Sequence, residues 1–372
     1  MERRNVLVTG GAGFIGSHLV DALIAQGHKV RVLDALVSQV HEDERPKYLH
    51  PEAEFIFGDV CDGEKLRQAL EDIDVVYHQA AEVGVGQSMY ELQKYVQANT
   101  FGTSVLLEAV VERRDRIRKI VVASSMSIYG EGAYQDESSV VYPQIRPTSQ
   151  LSERRWEVES EQTGLPLKPV GTSEDKPLFP TSVYAITKQD QEQLCLVVGR
   201  AYKIPAVALR YFNVYGTRQA LSNPYTGVCA IFSSRLLNNQ PPVIFEDGGQ
   251  TRDFTHVTDI VQANLLAMQT DAADYQPINI GTGRATSIEQ VALLLAEGLG
   301  KDLKPEIVGK YREGDIRHCV ADISRARRLL GYEPKVSLEQ GIPELLEWVR
   351  EQKATDNVAT ATAEMETRSL VR

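Results

Sequence analysis

Two residues four positions apart carry the first chemical signal, Tyr184 and Lys188 in the run Val183-Tyr184-Ala185-Ile186-Thr187-Lys188. Ser182 is an N-cap residue type, and positions 183–202 are good helix formers with no proline. On a helix, positions i and i+4 share a face, so the phenol and the ammonium group are predicted side by side. A fixed positive charge favours the phenolate and pulls down a pKa that is ordinarily about 10. Such a phenol trades protons near neutral pH, which is general acid–base work. The spacing also occurs on many solvated helix faces, so its meaning depends on what the chain places beside it.

The elements that would position this pair begin at the N-terminus. Asn5-Val6-Leu7-Val8-Thr9 is a short apolar run suited to a strand buried on both faces. It runs directly into Gly10-Gly11-Ala12-Gly13-Phe14-Ile15-Gly16 and then a helical pattern. Gly10, Gly13 and Gly16 give G-x-x-G-x-x-G, a variant of the dinucleotide fingerprint in which backbone approaches a pyrophosphate closely. The first helical N–H groups, around Phe14 and Ile15, and the positive dipole end would face the phosphates. A second strand at 29–33 ends at Asp34, placed to accept from the adenosine ribose hydroxyls and to repel a 2′-phosphate. NAD is therefore expected in preference to NADP.

The alternation continues with a strand at 54–57 leading to Asp59 and Val60, where Asp59 could meet the adenine amino group. A strand at 74–78 leads to Ala80 and Ala81, small enough for a loop to pass beneath a cofactor, and His78 reads as a packed core residue. One long helix is predicted over 88–114, carrying Asn99. A strand at 117–123 then delivers Ser124, Ser125, Met126 and Ser127. Strands alternating with helices at this pitch predict an α/β fold with a doubly wound (Rossmann) parallel sheet. Ligands of such sheets bind beyond the carboxyl ends of the strands, where the glycine turn, Ala80-Ala81 and Ser125 all fall.

Composition narrows the partners. The chain has 372 residues, 42% hydrophobic, and a formal net charge of −11. Its acidity argues against nucleic acid and against a membrane surface as partners. The four cysteines, Cys61, Cys195, Cys229 and Cys319, are widely spaced, so neither a disulfide framework nor a metal site is expected. With no apolar leader and no membrane-length apolar run, a cytoplasmic location is expected.

Several motifs in chain order identify a resemblance: TGGAGFIG (9–16), SSMSIYG (124–130), YAITK (184–188), RYFNVYG (210–216) and DGGQTRDFTHVTD (247–259). Over roughly residues 5–350 the chain resembles the extended short-chain dehydrogenase/reductase family, in its nucleotide-sugar epimerase/dehydratase branch. The resemblance implies tightly held NAD and a nucleoside-diphosphate sugar as substrate. It implies Ser125, Tyr184 and Lys188 as the catalytic set, with Lys188 also on the nicotinamide ribose. Phe212 and Val214 are implied beside the nicotinamide, Val60, Asn99 and Ser124 elsewhere along the cofactor, and Asn213 on the substrate. Relatives pair as homodimers through helices corresponding to 88–114 and 183–202.

Within that branch the residues after Ser125 choose the reaction. The 4,6-dehydratases carry a Thr-Asp-Glu run there, and the nucleotide-sugar decarboxylases place a glutamate where this chain has Ser127. What remains suffices to oxidise a hydroxyl and reduce the ketone again, which is epimerisation, with C4 the expected carbon. The stretch EDKPLFPTSVYAITK (174–188), after a long insert, is similar to bacterial enzymes acting on a dTDP-linked deoxysugar. UDP-glucose/UDP-galactose epimerisation, a net NAD-linked oxidation and a 4,6-dehydration stand as alternatives.

Residues 1–210 are expected to form the NAD-binding domain, with an insert at about 131–176 that is either a surface excursion or a lid near the sugar. Residues 211–352 should form mainly a smaller α/β substrate cap, with helices over 287–299, 323–330 and 338–352. The run Asn223 to Val228 precedes a helix running to Leu237 that would aim N–H groups at an anion, and Arg235, Arg252 and Arg317 are the expected fork-shaped donors for the diphosphate and nucleoside. Residues 353–372 lack apolar periodicity and are expected to be disordered.

Overall fold

The computed structural model describes residues 2–41, 44–137 and 139–372. Its centre is a seven-stranded sheet formed by β1 (Asn5–Thr9), β2 (Lys29–Asp34), β3 (Glu54–Phe57), β4 (Val75–His78), β5 (Lys119–Ser125), β6 (Ala206–Tyr211) and β7 (Pro277–Ile280). Every pairing is parallel, in the spatial order β7-β6-β5-β4-β1-β2-β3. The order reverses between β1 and β4, which opens a crevice beyond their carboxyl ends.

Period-two alternation explains why both faces are apolar. Val6 and Val8 join a core with α1 (Phe14–Ala25) and the helix Val257–Gln269, whereas Leu7 joins a core on the opposite face. That second core receives Leu106, Leu107 and Val110 of Gly102–Val111, and Cys195 and Leu196 of the helix Val183–Tyr202. The last of these helices starts as expected, with Ser182 Oγ accepting from Ala185 N at 3.1 Å.

The expected long helix over 88–114 is instead broken into Val85–Ser88, Leu92–Tyr95, a π-helical turn Val96–Phe101 and Gly102–Val111. A π turn widens a helix by one residue and recurs at functional sites. Here Asn99 lies inside it, fully buried, with its amide bonded to the backbone of Glu82 and to Thr187 Oγ1.

A separate apolar core joins the helices Val228–Leu237, Ile288–Gly298 and Leu338–Arg350. The helix Ser324–Leu330, expected there, packs Ala326 and Leu330 into the central-sheet core instead. The insert builds a three-stranded antiparallel sheet around Tyr134, Val158 and Leu167. The terminal segment differs from its expected disorder. Val358–Thr367 is helical, with Ala361 and Met365 buried. Its weak apolar period concealed a helix whose order comes from contacts with distant residues.

Candidate active site

The turn after β1 is dictated by backbone crowding. Gly10 has φ +67°, and a Cβ there would lie 2.7 Å from Ala80 N. A Cβ on Gly16 would lie 2.2 Å from Gly10 O, whereas one on Gly13 would meet nothing closer than Gly10 O at 3.4 Å. Two glycines thus close the turn, and the third leaves its face open to the cleft. Gly13 caps α1 with no side-chain hydrogen bond, so the N–H groups following it are available to an anion. We expect Gly16→Ala to yield purified protein with far less bound NAD, because the clash is with backbone. NAD released on denaturation measures this.

A cavity of about 470 Å³ runs along the strand ends. Gly10, Gly13, Phe14, Ile15 and Gly16 line it from the turn, and Asp34 from the end of β2. Asp59 and Val60 reach it from β3, Ala80 and Ala81 from β4, and Ser124 and Ser125 from β5. Phe212, Asn213 and Val214 follow β6, while Val228, Tyr184 and Lys188 complete the wall. Asp34 is fixed by Ala12 N at 3.0 Å and Leu36 N at 2.9 Å. These residues suit a dinucleotide: an open glycine face, free helix N–H groups and an anchored carboxylate. Asn99 is the exception, standing behind the loop at 80–84 as its support.

Ser125, Tyr184 and Lys188 all line this cavity. Ser125 Oγ accepts from Ser127 N at 3.2 Å and Ser127 Oγ at 2.9 Å, and hydrogen-bonds the Tyr184 side chain. Burial raises the Tyr184 phenol, and the Ser125 hydrogen bond opposes that rise. Lys188 Nζ points to Gln191 Oε1 at 2.6 Å, and burial brings its pKa down to about 7. The expected lowering of the phenol by its neighbouring ammonium is therefore not the arrangement present. Desolvation dominates both groups.

Because the folded-state value of Lys188 lies below 10.5, burial of its charge costs stability in full below about pH 7. The cost fades as pH climbs from about 7 towards 10.5. Lys188→Met should accordingly raise the thermal midpoint more at pH 6 than at alkaline pH, read by parallel melts.

A second cavity of about 310 Å³ shares Val85, Met126, Ser127, Asn213, Tyr225 and Val228 with the first, so the two form one cleft. Asn213 Oδ1 is buried there with no hydrogen-bond partner. Arg252 lines this part, its guanidinium steadied by the carbonyls of Thr251, Ile316 and Arg317 at 2.8 to 2.9 Å. Arg312 lines it too, stacked 4.8 Å over Phe245 and bonded to Asp315. Sequence reasoning missed Arg312, since the run Tyr311 to Arg317 contains two arginines and no spacing rule separates them.

Arg235 and Arg317 do not reach the cleft. Arg235 pairs with Asp356 at 3.0 Å. Arg317 is buried among Glu157, Glu246 and Asp247, and Arg146 pairs Glu246 from the other side. These bonds tie the insert to the cap. No described residue of 131–176 lines either cavity, and the contacts it makes are those of a brace. His78 is packed as expected, bonded to Thr9 and Thr103 and lowered to about 3 by burial.

The NAD dependent epimerase/dehydratase family model matches residues 6–281. The chain belongs to that family. It is 36% identical to the dTDP-L-rhamnose 4-epimerase of Burkholderia thailandensis, covering 95% of this chain and 96% of the relative. The crystal structure of Thermotoga maritima UDP-glucose 4-epimerase with UDP-glucose is similar at TM-score 0.76 and 34% identity, covering 93% of this chain and 99% of that one. The UDP-glucuronic acid 4-epimerase of Bacillus cereus, in complex with UDP-glucuronic acid and NAD, is similar at TM-score 0.77 and 32% identity, with the same coverage. NAD is the cofactor of this family and of this chain. No described helix is long and apolar enough to cross a membrane, and no described cluster of His, Cys, Asp and Glu could hold a metal ion.

Proposed function

We propose that this chain is an NAD-dependent nucleotide-sugar epimerase that inverts C4 through a transient keto sugar, with dTDP-L-rhamnose as its first substrate. The observation that carries the reading is the Ser125–Tyr184–Lys188 group lining the first cavity, with Ser127, which both cavities share, in place of a carboxylate. NAD, held by the glycine turn, Asp34 and the residues around Ser124, would supply a reversible two-electron hydride acceptor beside the sugar carbon. Tyr184 removes and later restores the hydroxyl proton, Ser125 steadies that oxygen, and buried Lys188 holds a movable positive charge nearby. Asn213 with its unpartnered oxygen, Arg252 and Arg312 hold the nucleotide end, so the sugar can turn while its diphosphate stays fixed.

Dehydration across C5–C6 would need an added acid and base next to Ser125. The carboxylates of the first cavity are elsewhere: Asp34 ends β2, Asp59 follows β3, and Glu82 is paired with Lys94 at 3.3 Å. The dTDP-L-rhamnose assignment is supported by the near full-length match to the Burkholderia enzyme. UDP-glucose is the second reading, supported by the likeness to the Thermotoga structure. Incubation with UDP-, dTDP- and GDP-sugars, followed by NMR of the products, decides between them. Net accumulation of absorbance at 340 nm without an isomer would defeat the epimerase reading.

A homodimer is part of the proposal. Leu92, Val96, Phe101, Ile186, Val197 and Tyr202 expose apolar surface on the helices named for pairing, and sedimentation equilibrium tests this. All four cysteines are free, which suits a reducing cytoplasm.

A further inference from the structure

Residues 353–372 come back across the molecule and fasten at three places. At their start, Thr355 N donates to Ser222 Oγ at 3.0 Å, Asn357 Nδ2 to Ser222 O at 2.9 Å, and Asp356 takes the ion pair from Arg235. In the middle, Glu364 Oε2 accepts from Tyr90 Oη at 2.9 Å and Tyr225 Oη at 3.0 Å, and Arg368 lies 4.4 Å over the Tyr90 ring. At the end, Tyr311 and Arg372 exchange two backbone hydrogen bonds, and Glu313 N donates to Leu370 O. Tyr90 belongs to the dinucleotide half of the molecule, whereas Tyr311 and Glu313 belong to the cap. The segment therefore bridges the two sides of the cleft.

Between those fastenings it faces inward. Val358, Ala361, Thr362, Met365 and Leu370 all line the second cavity. Met365 Sδ lies 2.9 Å from where a Cβ on Gly86 would stand. Gly86 is in the helical turn Val85–Ser88, and Ser88 Oγ takes the N–H of Tyr184 at 3.0 Å. Met365 is thus seated one layer from the proton-transfer residue. Lys310 adds a rim ion pair to Glu366 at 2.6 Å.

We propose that residues 353–372 form a wall of the substrate cleft that retains the keto sugar during its turn, with Met365 as the packing residue and Glu364 as a positioning residue acting through Tyr90 and Tyr225. This rests on the epimerase reading for its consequence. An epimerase that lets the keto sugar leave midway has removed two electrons and two hydrogens from the sugar, and keeps one hydride as NADH. A closed side wall opposes that loss.

The test uses the 372-residue protein, Glu364→Ala, Met365→Gln and a chain ending at residue 352. Isothermal titration with dTDP and UDP needs no turnover and reads the wall directly. Each variant should bind the nucleotide that the parent binds about tenfold more weakly, while NAD content stays at the parental level. During turnover KM should rise with less change in kcat, and absorbance at 340 nm should climb where the parent stays flat. Parental nucleotide affinity and a flat 340 nm trace in both point variants would overturn the proposal, whether or not the shortened chain folds. A parent that epimerises no sugar would defeat the epimerase reading and leave the affinity comparison to judge the wall.

Discussion

Tyr184→Phe is expected to slow turnover by about a thousandfold, the middle of the range for losing a positioned acid–base group. The change removes one oxygen and keeps the ring. That ring stands edge-on to Tyr95 with centroids 6.4 Å apart, so the packing of the helix start survives. The glycine turn and Asp34 are untouched, and purified variant should carry NAD at the parental level. Rapid-quench turnover and NAD content measured on one preparation separate the two effects. A variant with parental kcat would remove the assignment. The pH profile adds a second signature. Burial holds the phenol above its ordinary value, so the reactive phenolate becomes more abundant as pH rises. The parent's kcat should climb towards alkaline pH, and the residual rate of Tyr184→Phe should not.

Arg317→Met should cost about 3 kcal/mol of stability, because it strands carboxylates that share one buried guanidinium. Glu157, Glu246 and Asp247 all bond that group, at distances from 2.5 to 3.1 Å. Glu246 retains Arg146, and Glu157 retains His318, so the loss is partial. Denaturant midpoints at pH 7 measure it, and an unchanged midpoint would refute the account. Acid gives the sign. His318 first, and then Arg317, hold Glu157 near pH 2, so its contribution is complete above about 4.5 and is lost as pH falls towards 2. The variant should lose less stability than the parent over that interval. Because Glu246 also lines the second cavity, KM should rise in the same variant.

The parts of this protein that were readable in advance are those whose physics is local. A glycine turn between a buried strand and a helix states its own geometry, and Asp34 follows from where the second strand ends. Tyr184 and Lys188 fall on one helix face as their spacing requires. The Lys188 ammonium nonetheless donates to Gln191 Oε1, less than one turn further along the helix. Arginines gave the least reliable signal. A guanidinium identifies the kind of partner it wants, a carboxylate or a phosphate, but not which one. For Arg235 the partner lies 121 residues away and for Arg317 up to 160, and no pattern along the chain encodes such distances. The terminal helix was missed for the same reason. Its own amphipathic signal is faint, and its order comes from Tyr90, Tyr225 and Tyr311.

The strand order has a bearing on how the protein is made. β1 is translated first and lies inside the sheet, with β2 and β3 extending it one way and β4, β5, β6 and β7 the other. Each new strand therefore docks on a neighbour that has already left the ribosome, and none must wait for a later partner. Such outward growth keeps a single fresh edge open on each flank during synthesis, which limits the intermolecular strand pairing that leads to aggregation. The nucleotide cradle can be assembled vectorially before residues 353–372, which wall the other end of the groove, have been made.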